Sequence, residues 1–518
     1  MRGKPENRKI IKGFSKLSRE EKLGLLLQRS KDPDEIRSLV ESYRHHDPDM
    51  QKLHDEFSEN TITNFFLPWG VAPNFLVNGN LYMVPMVTEE SSVVAAAAMS
   101  AGFWAQKGGF RAEVKEMIKT GQVHFIWKGD PCHLKDAFQE INERFIEGTR
   151  EITANMVKRG GGIRSIELVD KTGDMEGYFQ VNARFDTKDS MGANFINSCL
   201  EEFATILKEY WRDKLKNAGG IIRPGSVPGV QSESESGIRH KSKSEIKYGS
   251  QPGGQSEMQP EIKPGSQQES VPYQESGNRD ELITGTDHNR KEHPLIIMSI
   301  LSNYTDECLV TSEVSCGVEE LIDISGEMTA AEFAGKFEQA VRIAQIDVYR
   351  AATHNKGIFN GIDAVVIATG NDFRAVEAAG HAWAARDGKY RSLSTCTVEN
   401  GRFLFSLTLP MAVGTVGGLT GLHPLAKTSV ELLGSPGAEE LMGIIASAGL
   451  ASNFAAITSL VTKGIQSGHM KMHLSNILTH FGADEQERMK AVEYFSERKV
   501  GFSSVEKFLK DYREKTKQ

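Results

Sequence analysis

Between Lys216 and Lys291 the chain passes through a long stretch of Ser, Gly, Gln, Pro and Glu that carries almost no large aliphatic side chain. Such a composition cannot bury enough apolar surface to offset a backbone ordering cost of about 1–2 kcal/mol per residue, so the segment is expected to be disordered. The loose recurrence of GSQ, QSE and QES within it has the character of low complexity and not of a structural repeat. No other feature limits the fold as much, because any core must be built by the pieces on either side. Those pieces meet the segment with a helical pattern from Asn194 to Leu215 and a strand pattern from Leu295 to Leu301. The segment therefore reads as an insertion into one loop and not as a boundary between independent domains. A length of 518 residues suits two to four domains, and 39% hydrophobic residues can fill more than one core.

A formal net charge of −8 argues against nucleic acid as the main partner, which would favour a basic surface, but it leaves room for a local basic pocket. The five cysteines, Cys132, Cys199, Cys308, Cys316 and Cys396, show no CxxC spacing. Neither a disulfide framework nor a zinc cluster is indicated, and a reducing cytoplasm is expected. The most apolar stretch found in the sequence, Val93 to Ala105, is too short to span a bilayer, and MRGKPENRKIIKG at the start lacks the apolar core of a signal peptide. No membrane anchor is expected.

The stretch YRAATHNKGIFNGIDAVVIATGND, residues 349 to 372, sets charged and amide side chains into a core-like run. Wound at about 100° per residue, a helix over 348 to 362 gathers Arg350, Thr353, Lys356 and Asn360 on one face, with Val348, Ala351, Ile358, Phe359 and Ile362 opposite. Two cations, a hydroxyl and an amide on one face suit an anionic ligand better than they suit a solvated surface with paired charges. Residues 363 to 369, apolar and β-branched, read as a central strand, with Asp372 at its carboxyl end where open α/β sheets place ligands. Equally, Asp372 could cap the helix that follows and Lys356 could be an exposed helix lysine.

Other groups carry weaker signals. VPMVTEESSVVAAAAMSAGFWAQKGG (84 to 109) predicts a helix beginning at Thr88, with Glu89 and Glu90 in its first turn, ended by Gly108 and Gly109. In RFDTKDSMGANFINSCLEEFATILKEYW (184 to 211), a strand end, a glycine loop and a long helix would present backbone N–H groups of Met191, Gly192 and Ala193 to a phosphate. No GxGxxG follows a strand, so a bound dinucleotide would not sit on an ordinary Rossmann unit. His469 and His473 are spaced i,i+4, yet no third metal ligand is evident, and His469 between glycines is as well suited to donate a proton.

Taken together, these stretches resemble 3-hydroxy-3-methylglutaryl-coenzyme A reductase of the soluble bacterial and archaeal type called class II. The matching pieces are ENTITNFFLPWGVAPNFLVNG (59 to 79), VPMVTEESSVVAAAA (84 to 98), DSMGANFIN (189 to 197), ILSN (300 to 303), residues 349 to 393, LPMAVGTVGGLTGLHPLAK (409 to 427) and GIQSGHMKMH (464 to 473). They occur in the family's order and leave out only the insertion. The resemblance implies an α+β protein in which a large substrate-binding α/β domain (1–109 and 303–463) is interrupted by a small non-Rossmann dinucleotide-binding domain (110–302, holding the insertion at 216–291). A mobile helical C-terminal flap (464–518) follows.

By motif, the resemblance assigns catalysis to Glu90, Lys356, Asp372 and His469. It assigns substrate binding to Ser92, Arg350, Thr353 and Asn360, and cofactor binding to Asp189, Met191, Gly192, Ala193, Asn194 and Asn303. It implies no metal. The family's EEPS stands here as Glu89-Glu90-Ser91-Ser92, which removes a rigid residue before the helix. The implied reaction reduces an acyl-CoA thioester to an alcohol, in the mevalonate route to isoprenoids, by two hydride transfers through hemithioacetal and mevaldehyde, or runs in reverse. Lys356 would stabilise the oxyanion, Glu90 protonate it, Asp372 hold and tune Lys356, and His469 protonate the departing thiolate. The cofactor would be NADPH or NADH. The region GTREITANMVKRGGG (148 to 162), with Arg150, Glu151 and Thr153, permits both; NADPH is the slightly favoured expectation. A homo-oligomer built from dimers is implied, in the cytoplasm, with no nucleic acid and no membrane. A catalytically silent acyl-CoA or nucleotide-binding protein that keeps the fold is the alternative, against which the retention of all four catalytic identities speaks.

Overall fold

The computed structural model describes residues 10–218, 293–462, 464, 474–496, 498 and 500–516. Residues 219–292, nearly all of the expected insertion, lie outside the described residues, as do 465–473 with His469 and His473.

Three short helices open the described chain: α1 (Arg19–Leu27), α2 (Pro33–Ser42) and α3 (Pro48–Glu56), each begun by a capping side chain, from Ser18, Asp32 and Asp47. The antiparallel ribbon β1 (Trp69–Val77) and β2 (Asn80–Val87) turns through Asn78 and Gly79, whose φ values of 50° and 84° suit a two-residue hairpin turn. The chain continues through α4 (Val93–Ala105), β3 (Arg111–Val114), β4 (Ile118–Ile126), α5 (Pro131–Gly148), α6 (Arg150–Lys158), β5 (Gly162–Asp170), β6 (Tyr178–Asp186) and α7 (Ala193–Ala218). Beyond the undescribed stretch come β7 (Leu295–Leu301), β8 (Leu309–Gly317), α8 (Ala330–Ile346), α9 (Val348–Ala368), α10 (Phe373–Ala384), β9 (Ser394–Glu399) and β10 (Arg402–Pro410). Helices α11 (Gly418–Leu422), α12 (Pro424–Leu432) and α13 (Ala438–Val461) follow.

Two four-stranded sheets run in the orders β3-β8-β10-β9 and β5-β6-β4-β7, and every strand pairing in them is antiparallel. Helices on antiparallel sheets are an α+β arrangement, and the second sheet lacks the parallel strands of a Rossmann unit. That sheet joins β4 and β6 to β7, so the chain leaves and re-enters the same lobe. Asn197 of α7 accepts a hydrogen bond from the Leu301 N–H of β7 at 2.9 Å, which fastens the two flanks together.

The apolar side chains fall into separate cores. One gathers α4, α8, α9, α13 and the β3-β8-β10-β9 sheet around residues such as Trp104, Phe337, Phe403 and Phe454. A second lies between the β5-β6-β4-β7 sheet and α5 and α7, with Phe125, Phe179, Phe203 and Trp211. A third, with Leu474, Leu478, Phe495 and Leu509, holds the last helices, Glu485–Tyr494 and Phe502–Thr516. Among the described residues, the helix long and apolar enough to cross a bilayer is α13, not the shorter Val93–Ala105, but most of it is buried inside the first core. It is a core helix.

The structure overturns one sequence expectation at the centre of this core. Residues 363 to 369 form no strand; 363 to 368 are the last six residues of α9, a continuous helix of 21 residues. Ala364, Val365, Val366 and Ala368 are buried there, so Asp363 is left as the one charged residue to display a helical period, and packing overrides the β-branched preference. Two glycines allow the close approach of α9 to α13: a Cβ on Gly361 would lie 2.3 Å from the Ala448 carbonyl oxygen, and one on Gly449 would lie 2.7 Å from Ile362.

Candidate active site

Helix α9 is started by Asp347, whose carboxylate accepts from the N–H groups of Tyr349 and Arg350. From that cap the helical period turns Arg350, Thr353, Lys356 and Asn360 into one cavity of about 500 Å³, closed on the other sides by Glu90, Ser92 and α4 and by Ser452 and Asn453 of α13. The opposite face is core, with Ala351, Ile358, Phe359 and Ile362 buried, but Val348 at the helix start is 48% exposed. It lies in the first turn, ahead of the packed part of the helix.

Two buried side chains fix the back of this helix. Asn355 donates to the Arg391 carbonyl oxygen and accepts from the Leu393 N–H, each at 3.0 Å. His354 places Nε2 2.6 Å from the Ser394 hydroxyl, and burial, with Arg350 nearby, pushes its pKa down to about 3, so the ring is neutral at physiological pH. The Ser452 hydroxyl donates to the Gly357 carbonyl oxygen at 3.0 Å and ties α13 to the helix beside Lys356. Lys356 is thus presented from a stiff support.

Its ammonium forms a direct ion pair with the Glu90 carboxylate. Glu90 does not sit in the first turn of a helix. Thr88 accepts from the Glu90 N–H at 3.1 Å in a turn, Ser92 adopts a left-handed φ of 77°, and α4 begins only at Val93 with no acid in its first turn. A capping threonine followed by two acids has the signature of a helix start, but the left-handed Ser92 delays it. The glutamate is left free to face Lys356 across the cavity.

The second constellation is made largely of backbone. Met191, Gly192, Ala193 and Asn194 line a groove of about 430 Å³ at the start of α7, facing Asn155 and Arg159 on one side and Gly414, Gly417 and Thr420 on the other. Gly192 has a φ of 78°, and a Cβ there would lie 2.4 Å from Thr187; a Cβ on Gly414 would lie 2.5 Å from the Met191 nitrogen. Such close backbone, at a helix N-terminus, fits the phosphates of a dinucleotide. No carboxylate lines the groove among the described residues. Within the 148–162 region the groove residues are Ile152, Asn155, Met156 and Arg159, of which the polar pair, Asn155 and Arg159, was missed by sequence reasoning. Arg150 pairs with Glu147 at 2.5 Å, Thr153 is buried, and Glu151 is exposed and absent from the groove wall. The period of α6 would have pointed to Asn155 and Arg159, four residues apart.

A neighbouring hollow of about 270 Å³ brings Asn303 together with Met191, Ala193, Asp372 and Lys119. Asp372 caps α10, accepting from the N–H groups of Arg374 and Ala375 at 3.1 and 3.2 Å and from the Arg374 side chain at 3.3 Å. It is a helix cap and a hollow-lining carboxylate at once. It does not line the cavity of Lys356, because α9 runs on for twelve residues from Lys356 to Ala368, a rise of about 18 Å. Asp189 also departs from expectation: its carboxylate accepts from the Ala438 N–H at 2.7 Å, so it braces the loop against the start of α13 and faces a different hollow, beside Lys188, Gly437 and Glu440. The structure thus unites Glu90, Ser92, Arg350, Thr353, Lys356 and Asn360 in one place, and Met191, Gly192, Ala193 and Asn194 in another adjoining Asn303 and Asp372.

Comparison with known proteins bears on both constellations. The sequence matches the family model described as Hydroxymethylglutaryl-coenzyme A reductase over residues 20–218 and 287–474, leaving out most of the low-complexity segment. It is 32% identical over 490 residues to 3-hydroxy-3-methylglutaryl-coenzyme A reductase of Archaeoglobus fulgidus, covering 93% of this chain and 90% of that one. It is 26% identical over 477 residues to a probable enzyme of the same name from Borreliella burgdorferi, covering 91% and 89%. Among solved structures, the class II 3-hydroxy-3-methylglutaryl-CoA reductase of Streptococcus pneumoniae bound to NADPH in open conformations aligns with a TM-score of 0.61 and 32% identity, over 87% of this chain and 99% of that one.

Proposed function

Since this chain belongs to the hydroxymethylglutaryl-coenzyme A reductase family, we propose that it reduces 3-hydroxy-3-methylglutaryl-coenzyme A to mevalonate and coenzyme A, as a step of isoprenoid metabolism in the cytoplasm. The observation that carries this reading is the ion pair of Glu90 and Lys356 in a cavity that also holds Arg350, Thr353, Ser92 and Asn360. A cation is available there for a carbonyl oxygen that gains charge, a carboxyl group for its proton, and a second cation for the substrate's free carboxylate.

The nicotinamide cofactor, when bound, supplies one hydride to each of the two reductions. Lys356 donates hydrogen bonds to the substrate oxygen as the thioester carbon becomes tetrahedral, and does so again at the aldehyde. Glu90 delivers a proton to the oxygen at each reduction and takes the first one back when the hemithioacetal hydroxyl becomes the aldehyde carbonyl. Arg350 holds the glutaryl carboxylate, while Thr353, Asn360 and Ser92 set the reacting carbonyl against Lys356. His469 is assigned the proton that the coenzyme A thiolate takes as the hemithioacetal collapses. His469→Gln should then slow the thioester half-reaction far more than reduction of free mevaldehyde, and equal losses would remove that role.

The cofactor groove, lined by Gly192 and by Arg159, suits the phosphates of NADPH, and the lack of a lining carboxylate among the described residues favours NADPH over NADH. The separate apolar cores support a substrate domain, a cofactor domain and a C-terminal flap, but the expected boundary at 109/110 moves: Phe110 and β3 pack with the first core and β3 pairs with β8, so the cofactor domain of this reading begins near β4 and not at 110. A homodimer is part of the proposal for a geometric reason. About 18 Å of helix separates Lys356 from Ala368, four residues before Asp372, and the two side chains line different cavities, which supports a reading in which Asp372 holds Lys356 across two copies. Mixing Lys356→Ala with Asp372→Asn chains should then rebuild one intact site per mixed dimer and restore about a quarter of wild-type activity at random pairing. No recovery in mixtures shown to exchange chains would exclude the arrangement. The function itself is tested by loss of NADPH absorbance when the acyl-CoA is added, with initial rates compared for NADPH and NADH; no consumption of either would overturn it.

A further inference from the structure

The hollow beside the cofactor groove contains a cation that no assigned role uses. Lys119, the second residue of β4, reaches into the turn that follows β6 and is 4% exposed. Its ammonium donates to the Thr187 hydroxyl and, at 2.7 Å, to the Ser190 carbonyl oxygen. The Thr187 hydroxyl donates to the same Ser190 oxygen at 2.6 Å. An ammonium has three N–H donors, and here only two find protein acceptors among the described residues. No carboxylate lies within ion-pairing distance of it among those residues, and the side chain forms part of the wall shared with Met191, Ala193, Asn303 and Asp372. Burial pulls its pKa down, with Cys308, Asp186 and Asp189 acting in the other direction.

A buried ammonium without an anion is costly to keep, and replacing it with an apolar side chain usually does not weaken a fold. Loop bracing alone gives a poor account of it, because the turn is already held by the Thr187–Ser190 bond, by the Asp189 carboxylate on Ala438, and by the Thr415 N–H on the Asp189 carbonyl at 2.8 Å. What the position lacks is an acceptor with negative charge, and the open space in front of it lies between the phosphate-suited backbone of Met191 and Ala193 and the side chain of Asn303.

We infer that Lys119 is a cofactor-binding residue, whose third N–H and uncompensated charge hold a phosphate oxygen in the nicotinamide half of the dinucleotide. The inference rests on the proposed use of a nicotinamide cofactor. It adds a residue that enters the site from β4 of the small lobe, remote in sequence from the glycine loop it serves.

The test compares Lys119→Met and Lys119→Arg in the full-length protein. NADPH affinity is read by fluorescence titration without acyl-CoA, alongside melting temperature and the KM values for both substrates. Lys119→Met should weaken NADPH binding about 10- to 100-fold, the usual range for losing a hydrogen bond to a charged group. It should leave the acyl-CoA KM unchanged and leave the melting temperature unchanged or raised. Lys119→Arg, which keeps the charge, should recover most of the affinity, and it serves alone if the Met variant does not fold. Unaltered NADPH affinity in Lys119→Met overturns the inference, as does a parallel fall in affinity and melting temperature that Arg does not rescue. Wild-type protein that neither binds nor oxidises NADPH would instead strike at the proposed function.

Discussion

The cavity of Lys356 and the hollow of Lys119 each present an amino group, and they are built in opposite ways. Lys356 stands on one face of a long helix, is 59% exposed and is paired with Glu90. Lys119 is buried, has two neutral acceptors and faces a groove whose walls are mostly backbone. In the first region the chemistry is carried by side chains on a support that would fold without them. In the second, support and function are the same atoms, since the glycines that admit a ligand also let the loop pack. Substitutions in the two regions should therefore fail differently.

The largest contrast is expected from Lys356→Ala. Removing an oxyanion partner from a solvent-facing helix position should lower turnover about 10²- to 10³-fold while the melting temperature stays near wild type. A variant that keeps more than about a tenth of the activity would end the proposed role of Lys356. Gly192→Ala should act on both properties at once, because its φ of 78° is unfavourable to a side chain and the added Cβ would meet Thr187. An effect of about 1–2 kcal/mol on stability is expected, with NADPH affinity falling and the acyl-CoA KM unmoved. Calorimetry and cofactor titration would read this, and a loss confined to activity would show that the groove is less rigid than its contacts imply.

A carboxyl group on α9 sharpens the comparison from beneath. Asp363 lies seven residues beyond Lys356 and so on the same face of the helix; burial, then Glu377 and Glu89, pushes its pKa up to about 8. The folded protein thus holds a proton that the unfolded chain releases in the ordinary carboxylate range. Stability from this group is full below that range and is lost as pH rises toward about 8. Asp363→Asn should flatten the decline in melting temperature between about pH 5 and 8 and leave the variant more stable than wild type at the upper end. A parallel decline in both proteins would discount the group. The smallest effect is expected from replacing residues 219–292 with a short Gly/Ser linker between the flanks that Asn197 and Leu301 fasten. Melting temperature and turnover should both stay close to wild type, and loss of soluble protein would contradict an insertion that leaves from one surface loop.

The same contrast governs how much could be read from the sequence. The substrate face was legible because a polar stripe on a helix leaves a period, and Arg350, Thr353, Lys356 and Asn360 share one cavity. The resemblance to a known family named the glycine loop, but not Arg159 or Lys119, which approach it from other elements and have no spacing relation to it. The strand expected at 363–369 failed because the helix there is mostly buried and Asp363 alone carries the polar period onward. The early helix start at Thr88 failed because a local hydrogen bond competes with the cap signal. Antiparallel pairing across the insertion depends on contacts between β4 and β7, far apart in the chain, and no local pattern encodes it.

The unbroken course of α9 has one more consequence. A helix keeps its length through its backbone, so no exchange of side chains along it can bring its two ends nearer. Under the proposed pairing of Lys356 with Asp372 across two copies, each chain would carry two half-complements, and the reaction rate would become a matter of mass action between chains. Specific activity should fall steeply once the protein is diluted below its self-association constant, and substrate or cofactor that bridges two chains should shift that threshold downward. An enzyme of this design would be switched by its own abundance.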